Sequence, residues 1–365
     1  MEKSKSKLEI ARNNAQLAVA ETNVKIENLG TNTNELYETL NRIQDIFDKI
    51  RNIPNKEKIE YEKIKNIRLS WSKQVEKIEN DYKKAKISTT GNCATGVGTG
   101  VAVITLGPTV AMGIATTFGV ASTGTAISTL SGAAATNAAL AWLGGGAIAA
   151  GGGGMAAGNI ILGLAGPIGW TIAGVTVILT GAITWKNISD KKTLENIFTT
   201  ISERDIKSYK LAVVELNERI SRIQDECKKL KRACTDISNF GLDYERMTEQ
   251  QQFSLGAYVN LMSSSTQLLV NPILGLQPNY TEKDFESYFS KEKSEDKAKL
   301  NKNLIISLSN LLYKIELNND EKKILYKSFK NNKEFLKSFN YNKKDFNFET
   351  FELVFEGLNY KYNNK

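Results

Sequence analysis

The 365-residue chain contains no histidine, so imidazole acid–base catalysis and His-ligated metals have no place in it. Its three cysteines, Cys93, Cys227 and Cys234, show no metal-binding spacing. Cys227 and Cys234 lie seven apart at equivalent heptad positions and read as small apolar seam residues; an intermolecular disulfide across a symmetric helix pair is the sharper alternative. So sparse and odd a count fits a reducing compartment better than a disulfide framework. The stretch Gly96-Val97-Gly98-Thr99-Gly100 invites comparison with a phosphate loop. Such a loop ends in Gly-Lys-Ser/Thr, and the surrounding segment has no lysine. A dinucleotide fold needs alternating strands and helices with a downstream acid, and neither is present. Carboxylate pairs such as Asp45 and Asp48 fall on solvated helix faces. The expectation is a non-enzyme with no catalytic residue, no cofactor and no metal.

The chemistry these residues can do is that of packing in an apolar medium. Residues 87–185 contain no Asp, Glu, Lys or Arg, and all 48 basic and 40 acidic side chains lie outside them. This run holds 22 of the 27 glycines, with 20 alanines, 16 threonines and 4 serines. Helices rich in such residues gain less from lipid than Leu-rich anchors, but they let backbones approach closely. Small residues recur four apart: Gly96 and Gly100; Gly124, Ser128, Gly132 and Thr136; Ala150, Gly154 and Gly158. The pattern reads as a glycine zipper. Trp142, Trp170 and Trp185 lie in the run, and Trp185 abuts Lys186 as an interfacial anchor would, although Trp142 and Trp170 could equally fill gaps beside glycines.

A membrane span needs about 20 apolar residues, so the run has room for several. Candidate helices fall near Val97–Gly119, Thr125–Leu143 and Met155–Leu179, with Pro108 and Pro167 expected to kink or interrupt two of them. Lysines flank both ends: Lys83, Lys84 and Lys86 before, and Lys186, Lys191 and Lys192 after. Equal basicity puts both ends on one side of a bilayer, hence a hairpin, simple or doubled. Permanent burial as a Gly/Ala-rich core is the other reading. It fits less well, because no face of the run carries a charge to meet water.

The segments that must carry the run read as long helices. Ile26, Leu29, Thr33, Leu36, Leu40, Ile43, Phe47 and Ile50 alternate spacings of three and four, and Pro54 is expected to close that helix. A second stripe follows at Ile64, Ile67, Trp71, Val75, Ile78 and Tyr82. After the run, Ile206, Tyr209, Val213, Leu216, Ile220, Ile223, Cys227, Leu230, Cys234 and Ile237 hold the same repeat, with Glu215, Arg219, Arg222 and Glu226 on other faces. A further helix is predicted over Tyr244–Leu269, and then helices near Lys299–Leu317, Asp320–Lys330 and Phe348–Leu358. The expected fold is all-α: an elongated antiparallel, coiled-coil-like bundle with a central Gly/Ala-rich apolar hairpin and a small C-terminal helical domain. Its parts are 1–86 (bundle helices), 87–185 (the run), 186–271 (long bundle helices), 272–281 (linker) and 282–365 (small domain).

Long amphipathic helices, a small-residue apolar hairpin and another very long helix form an order that resembles the α-helical pore-forming toxins. In the haemolysin BL, non-haemolytic enterotoxin and cytolysin A group, a helical bundle shields a hydrophobic tongue that later enters membrane. The likeness covers roughly residues 10–270 and is one of organisation. The stretches Ser131–Gly146 and Gly151–Gly158 also look like a segment recurring in uncharacterised bacterial proteins, and apolipoprotein L proteins share the general plan. The run is longer than a typical tongue, and the C-terminal 85 residues have no obvious counterpart. The resemblance implies membrane permeabilisation with a lipid bilayer and further copies of the chain as partners. Two other readings stay open. One is a constitutive intracellular membrane effector of a bacterial defence system with a cytosolic coiled-coil sensor. The other is a structural coiled-coil protein of a phage-tail-like assembly. The net charge of +8 is mixed in sign along the chain, which favours anionic lipid slightly and does not point to nucleic acid. Met1–Lys7 is charged with no apolar stretch soon after it, so synthesis in the bacterial cytoplasm without a signal peptide is expected, with action at a membrane, by a specialised secretion route or lysis if outside the cell.

Overall fold

A computed structural model describes residues 7–90, 108–119, 188–289, 301–331, 336 and 343–364. The described residues are helical with no strand, the all-α class that the periodicity implies. Three long helices set the length: α1 (Lys7–Phe47), α2 (Asn55–Thr90) and α4 (Ile188–Ser238). At about 1.5 Å per residue, α4 alone extends about 75 Å. A short helix, α3 (Pro108–Phe118), and α5 (Glu249–Val270) complete the bundle.

Directions follow from the pairings. Asn32 accepts from Gln224 at 2.9 Å and Glu35 pairs with Lys231 at 2.6 Å, so residue numbers rise together and α1 and α4 run parallel. Phe47 stacks on Tyr61 and Tyr37 meets Trp71, with ring centroids 5.6 and 5.2 Å apart, so α2 is antiparallel to α1. Tyr258 donates to Asp236 and Ser265 to Glu226, which makes α5 antiparallel to α4. The pairs α1–α2 and α4–α5 are therefore antiparallel, whereas the most extensive helix contact is the parallel pair α1–α4.

The α1 stripe is buried throughout, from Ile26 at 1 % exposure to Ile50 at 7 %. On α4, Tyr209, Leu216, Ile223, Cys227, Leu230, Cys234 and Ile237 are buried, whereas Ile206, Val213 and Ile220 are half-buried and Ala212 takes the fully covered position. Pro54 does not end α1. That helix stops at Phe47, and Pro54 lies in the joint just before α2. The chain reverses through Asn52, whose positive φ of 61° an asparagine tolerates, and Asn52 is held by a 2.9 Å hydrogen bond to Asp243. Arg51 exchanges backbone hydrogen bonds with Leu242 and Tyr244, closing this end of the bundle. A Thr248–Gln251 capping box starts α5, later than the expected Tyr244 because Tyr244–Arg246 form a 3₁₀ turn.

The second core contains α6 (Glu282–Phe289), α7 (Lys302–Leu312), α8 (Asn319–Asn331) and α9 (Phe348–Asn363). It is built onto α4, because Leu194, Ile197, Phe198 and Ile201 belong to the same cluster as Phe289, Leu308 and Phe351. Arg204 of α4 donates to the carbonyls of Leu311 and Tyr313, and Lys361 pairs with Asp284 at 2.6 Å. The stretch 272–281 is held by Ile273, Leu276 and Tyr280, all buried, while Leu274 is exposed.

Candidate functional site

α3 is the described helix that lies wholly inside the uncharged run, and the bundle encloses it. Ala111, Ile114, Ala115, Thr116 and Thr117 are at most 1 % exposed, and Val110 is buried as well. A helix apolar on every side has no face for water, so it must be covered on every side. α1, α2 and α5 supply that cover.

The fit depends on two glycines. A Cβ built on Gly30 of α1 would lie 1.8 Å from the Thr109 carbonyl oxygen, and one on Gly113 would lie 2.2 Å from that of Ile26. The two helices thus cross backbone against backbone, a contact that only glycine permits at those positions. Thr109, Gly113 and Thr117, spaced by four, continue the small-residue pattern of the run, although the zipper positions chosen from sequence did not include them. Gly30 was missed too. Its signal was its isolation, as the one glycine in the 41 residues of α1.

Pro108 stands at the first position of α3, within the candidate helix Val97–Gly119, whose part before Pro108 lies outside the described residues. The first position of a helix has no backbone acceptor for its N–H, so proline fits there without loss. At the other end, Gly119 adopts a positive φ of 74° and donates to the Ala115 carbonyl. The buried Thr117 carbonyl at the helix end accepts from the Ile273 amide at 2.8 Å and the Gln277 side chain at 3.2 Å, and Gln74 of α2 reaches the Gly119 carbonyl. The segment after α5 therefore latches the end of α3. α4 holds that segment in turn: Arg219 donates to the Leu268 and Asn271 carbonyls, and Glu215 accepts from the Leu274 and Gly275 amides. Glu215, Arg219 and Glu226, placed by the sequence on faces other than the seam, are the groups with which α4 grips α5 and its exit. Arg222 meets only Glu218, at 3.9 Å on the surface.

Gly96, Gly100, Gly124, Ser128, Gly132, Thr136, Gly154, Gly158, Pro167, Trp142, Trp170, Trp185 and Lys186 lie outside the described residues, as do the candidate helices Thr125–Leu143 and Met155–Leu179. No helix among the described residues is long and apolar enough to cross a membrane.

Cys227 and Cys234 are buried free thiols, and burial pushes the Cys227 thiol up to about 11. Burial and the adjacent Asp48 carboxylate push the Tyr61 phenol well above its usual value. Arg68 on α2 is 2 % exposed, and its three guanidinium nitrogens meet no acceptor. Burial draws its pKa below the ordinary arginine value, opposed by Tyr61, Tyr37 and Asp48. A cavity of about 520 Å³ opens at the α1–α2 joint between Phe47, Tyr61, Tyr244 and Leu255. Arg51, Lys58, Glu57 and Glu62 line it with both signs of charge. Among the described residues no cluster of Cys, Asp and Glu could hold a metal ion. No family model, curated protein or solved structure matches the chain.

Proposed function

We propose that this chain is a membrane-permeabilising protein whose helical bundle shelters an uncharged, glycine-rich segment and releases it to assemble in a lipid bilayer. The observation that carries this reading is the placement of α3. A helix with no charged residue is enclosed by α1, α2 and α5, of which α1 and α2 carry charges along their length, and it meets α1 through a contact requiring glycine on both sides. Enclosure in this form is reversible in principle. The helix is held by packing and by a few hydrogen bonds at its C-terminal end, and a small-residue surface that fits α1 also fits another helix of its own kind.

On this reading α3 is the sheltered form of part of the run. Its 11 residues span about 16 Å, half the hydrocarbon thickness, so insertion requires it to join neighbouring residues in a longer helix. The glycines at Gly124, Gly132, Gly154 and Gly158 then serve helix association between copies, and Trp185 with Lys186 marks the bilayer edge. Lipid and further copies of the chain are the partners, nucleic acid is not, and no catalysis is involved.

Purified protein added to dye-loaded anionic and neutral vesicles tests the reading. Dye release and sedimentation with the vesicles are expected, with ring-like assemblies in negative stain. Folded protein that releases no dye at any lipid composition or pH would overturn it.

A further inference from the structure

Of the helices that enclose α3, α2 has the least favourable attachment, and it is also the helix that leads directly into the uncharged run. α1 and α4 approach closely, and the buried thiols Cys227 and Cys234 of α4 lie near Glu35 and Arg42 of α1. α2 stands farther from α1, and the gap is bridged by rings: Trp71 against Tyr37 and Tyr61 against Phe47. Arg68 sits in this interface, three residues before Trp71. Its Nε, Nη1 and Nη2 are all buried, and none donates to a protein acceptor. The buried Trp71 indole N–H is also without an acceptor.

A buried charge is tolerated when it is paired, and it is strongly unfavourable when its hydrogen-bonding groups are left unmet. The nearest charge of opposite sign acting on Arg68 is Asp48, which already accepts from the Tyr61 hydroxyl at 2.7 Å and pairs with Lys65 at 3.3 Å. Two arginines elsewhere in the molecule show the ordinary solution. Arg219 and Arg204 each donate to two backbone carbonyls. Arg68 alone of these three has no protein acceptor in the closed bundle, and separation of α2 from the bundle opens it to water.

We infer that Arg68 is a built-in destabiliser of the closed bundle, and that α2 is the arm that detaches first to free the run. The inference rests on the sheltering function proposed above, but it concerns a motion that can be measured without any membrane. α2 opens from the rest of the bundle while the parallel pair α1–α4 persists. The joint remains anchored by backbone hydrogen bonds, the Arg51 amide donating to the Leu242 carbonyl and the Tyr244 amide to the Arg51 carbonyl, so the arm swings from that end.

Hydrogen exchange by mass spectrometry on the wild-type protein in solution is the first test. Amides of α2 between residues 61 and 82 should exchange at least tenfold faster than those of α1 between residues 26 and 47, although both segments are helical and core-facing. Equal protection would overturn the inference, whatever any variant does. The second test is Arg68→Met, which keeps the length of the side chain and removes the charge, with Arg68→Leu alongside it in case one variant packs poorly. Either should raise Tm by several degrees and slow exchange in α2 tenfold or more, with little change in the protection of α4 between residues 216 and 237. A lowered or unchanged Tm in both variants, or slowing spread evenly over the bundle, would refute the role of Arg68. Dye release separates this inference from the function it rests on. If wild-type protein never releases dye yet shows the α2 exchange pattern and the variant effect, the membrane function fails and the α2 arm stands. If wild-type protein releases dye and Arg68→Met does so at an undiminished rate despite slowed α2 exchange, then detachment of α2 does not control release, and that part of the inference falls.

Discussion

At Gly30 even a methyl group is too large. The Cβ of an alanine would overlap the Thr109 carbonyl, and because the obstacle is backbone, no rotamer change can relieve it. Gly30→Ala should therefore push α3 away from α1 and cost about 1–3 kcal/mol, read as a fall in Tm by circular dichroism. Gly113→Ala removes the same contact from the other side, so the double variant should cost less than the sum of the singles. An unchanged Tm in both singles would mean that α3 is not seated where the structure places it. Cys227 offers a different kind of test. Burial stabilises its neutral thiol, raising the folded-state pKa from 9.0 to about 11. A raised pKa contributes stability that is complete below the unfolded value and is lost as pH climbs through the folded one. Stability should accordingly drop between pH 9 and 11, and Cys227→Ala should flatten that drop. At pH 8 the native thiol should alkylate far more slowly than in denaturant, measured at this site by mass spectrometry; fast labelling of the native protein would show it to be exposed. The sequence had marked Cys227 as a seam residue by spacing alone. Arg68 and Gly30 escaped the same reasoning because periodicity ranks residues by hydrophobicity. A buried arginine and a contact glycine both carry the wrong type for the core.

Among the elements, the α1 stripe was legible to the residue, since one partner set covers it along the whole repeat from Ile26 to Ile50. The α4 stripe was less so. Its repeat is equally regular, but α4 meets the C-terminal helices through Leu194–Ile201 and then α1 and α5 farther along, so the buried face rotates and Ala212 displaces Val213. A strict heptad also drifts by about 20° per repeat on a straight helix, which shifts the covered side over a length such as this. The short elements failed for local reasons. Pro54 precedes α2 and was taken as the end of α1, because from sequence alone a proline marks a boundary without saying on which side the helix lies. Ile223 tests the α4 assignment directly. It is 1 % exposed at the centre of the bundle, so Ile223→Asp places a charge where nothing can pair with it and should cost about 3 kcal/mol or more. Leu211→Asp, at a position 69 % exposed on the same helix, is the control and should change Tm little. If both variants melt alike, the buried face of α4 has been misassigned.

On the scale of the whole molecule, the segregation of charge is what the sequence displays most openly and what the architecture uses. Charged helices form a rod, and a helix from the uncharged run sits within it. What sequence could not disclose was which helices would enclose it, because the 97 residues separating α2 from α4 leave their pairing unconstrained. The proposed function depends on the run having two compatible environments, and Gly132, Gly154 and Gly158, outside the described residues, are where that can be tested. Replacing each with leucine makes the run more hydrophobic while removing the surface needed for close helix contact. Three outcomes separate three roles. A simple lipid anchor would bind vesicles more tightly. A permanently packed core would lose about 1–3 kcal/mol through overpacking, with no lipid binding before or after. A segment that assembles in the bilayer should keep or increase its vesicle binding and yet lose dye release, because association between its helices requires small residues at the contact. Sedimentation and leakage measured on the same preparations distinguish these outcomes. Leakage that survives all three substitutions would leave the glycines as hinges and remove the zipper from the mechanism.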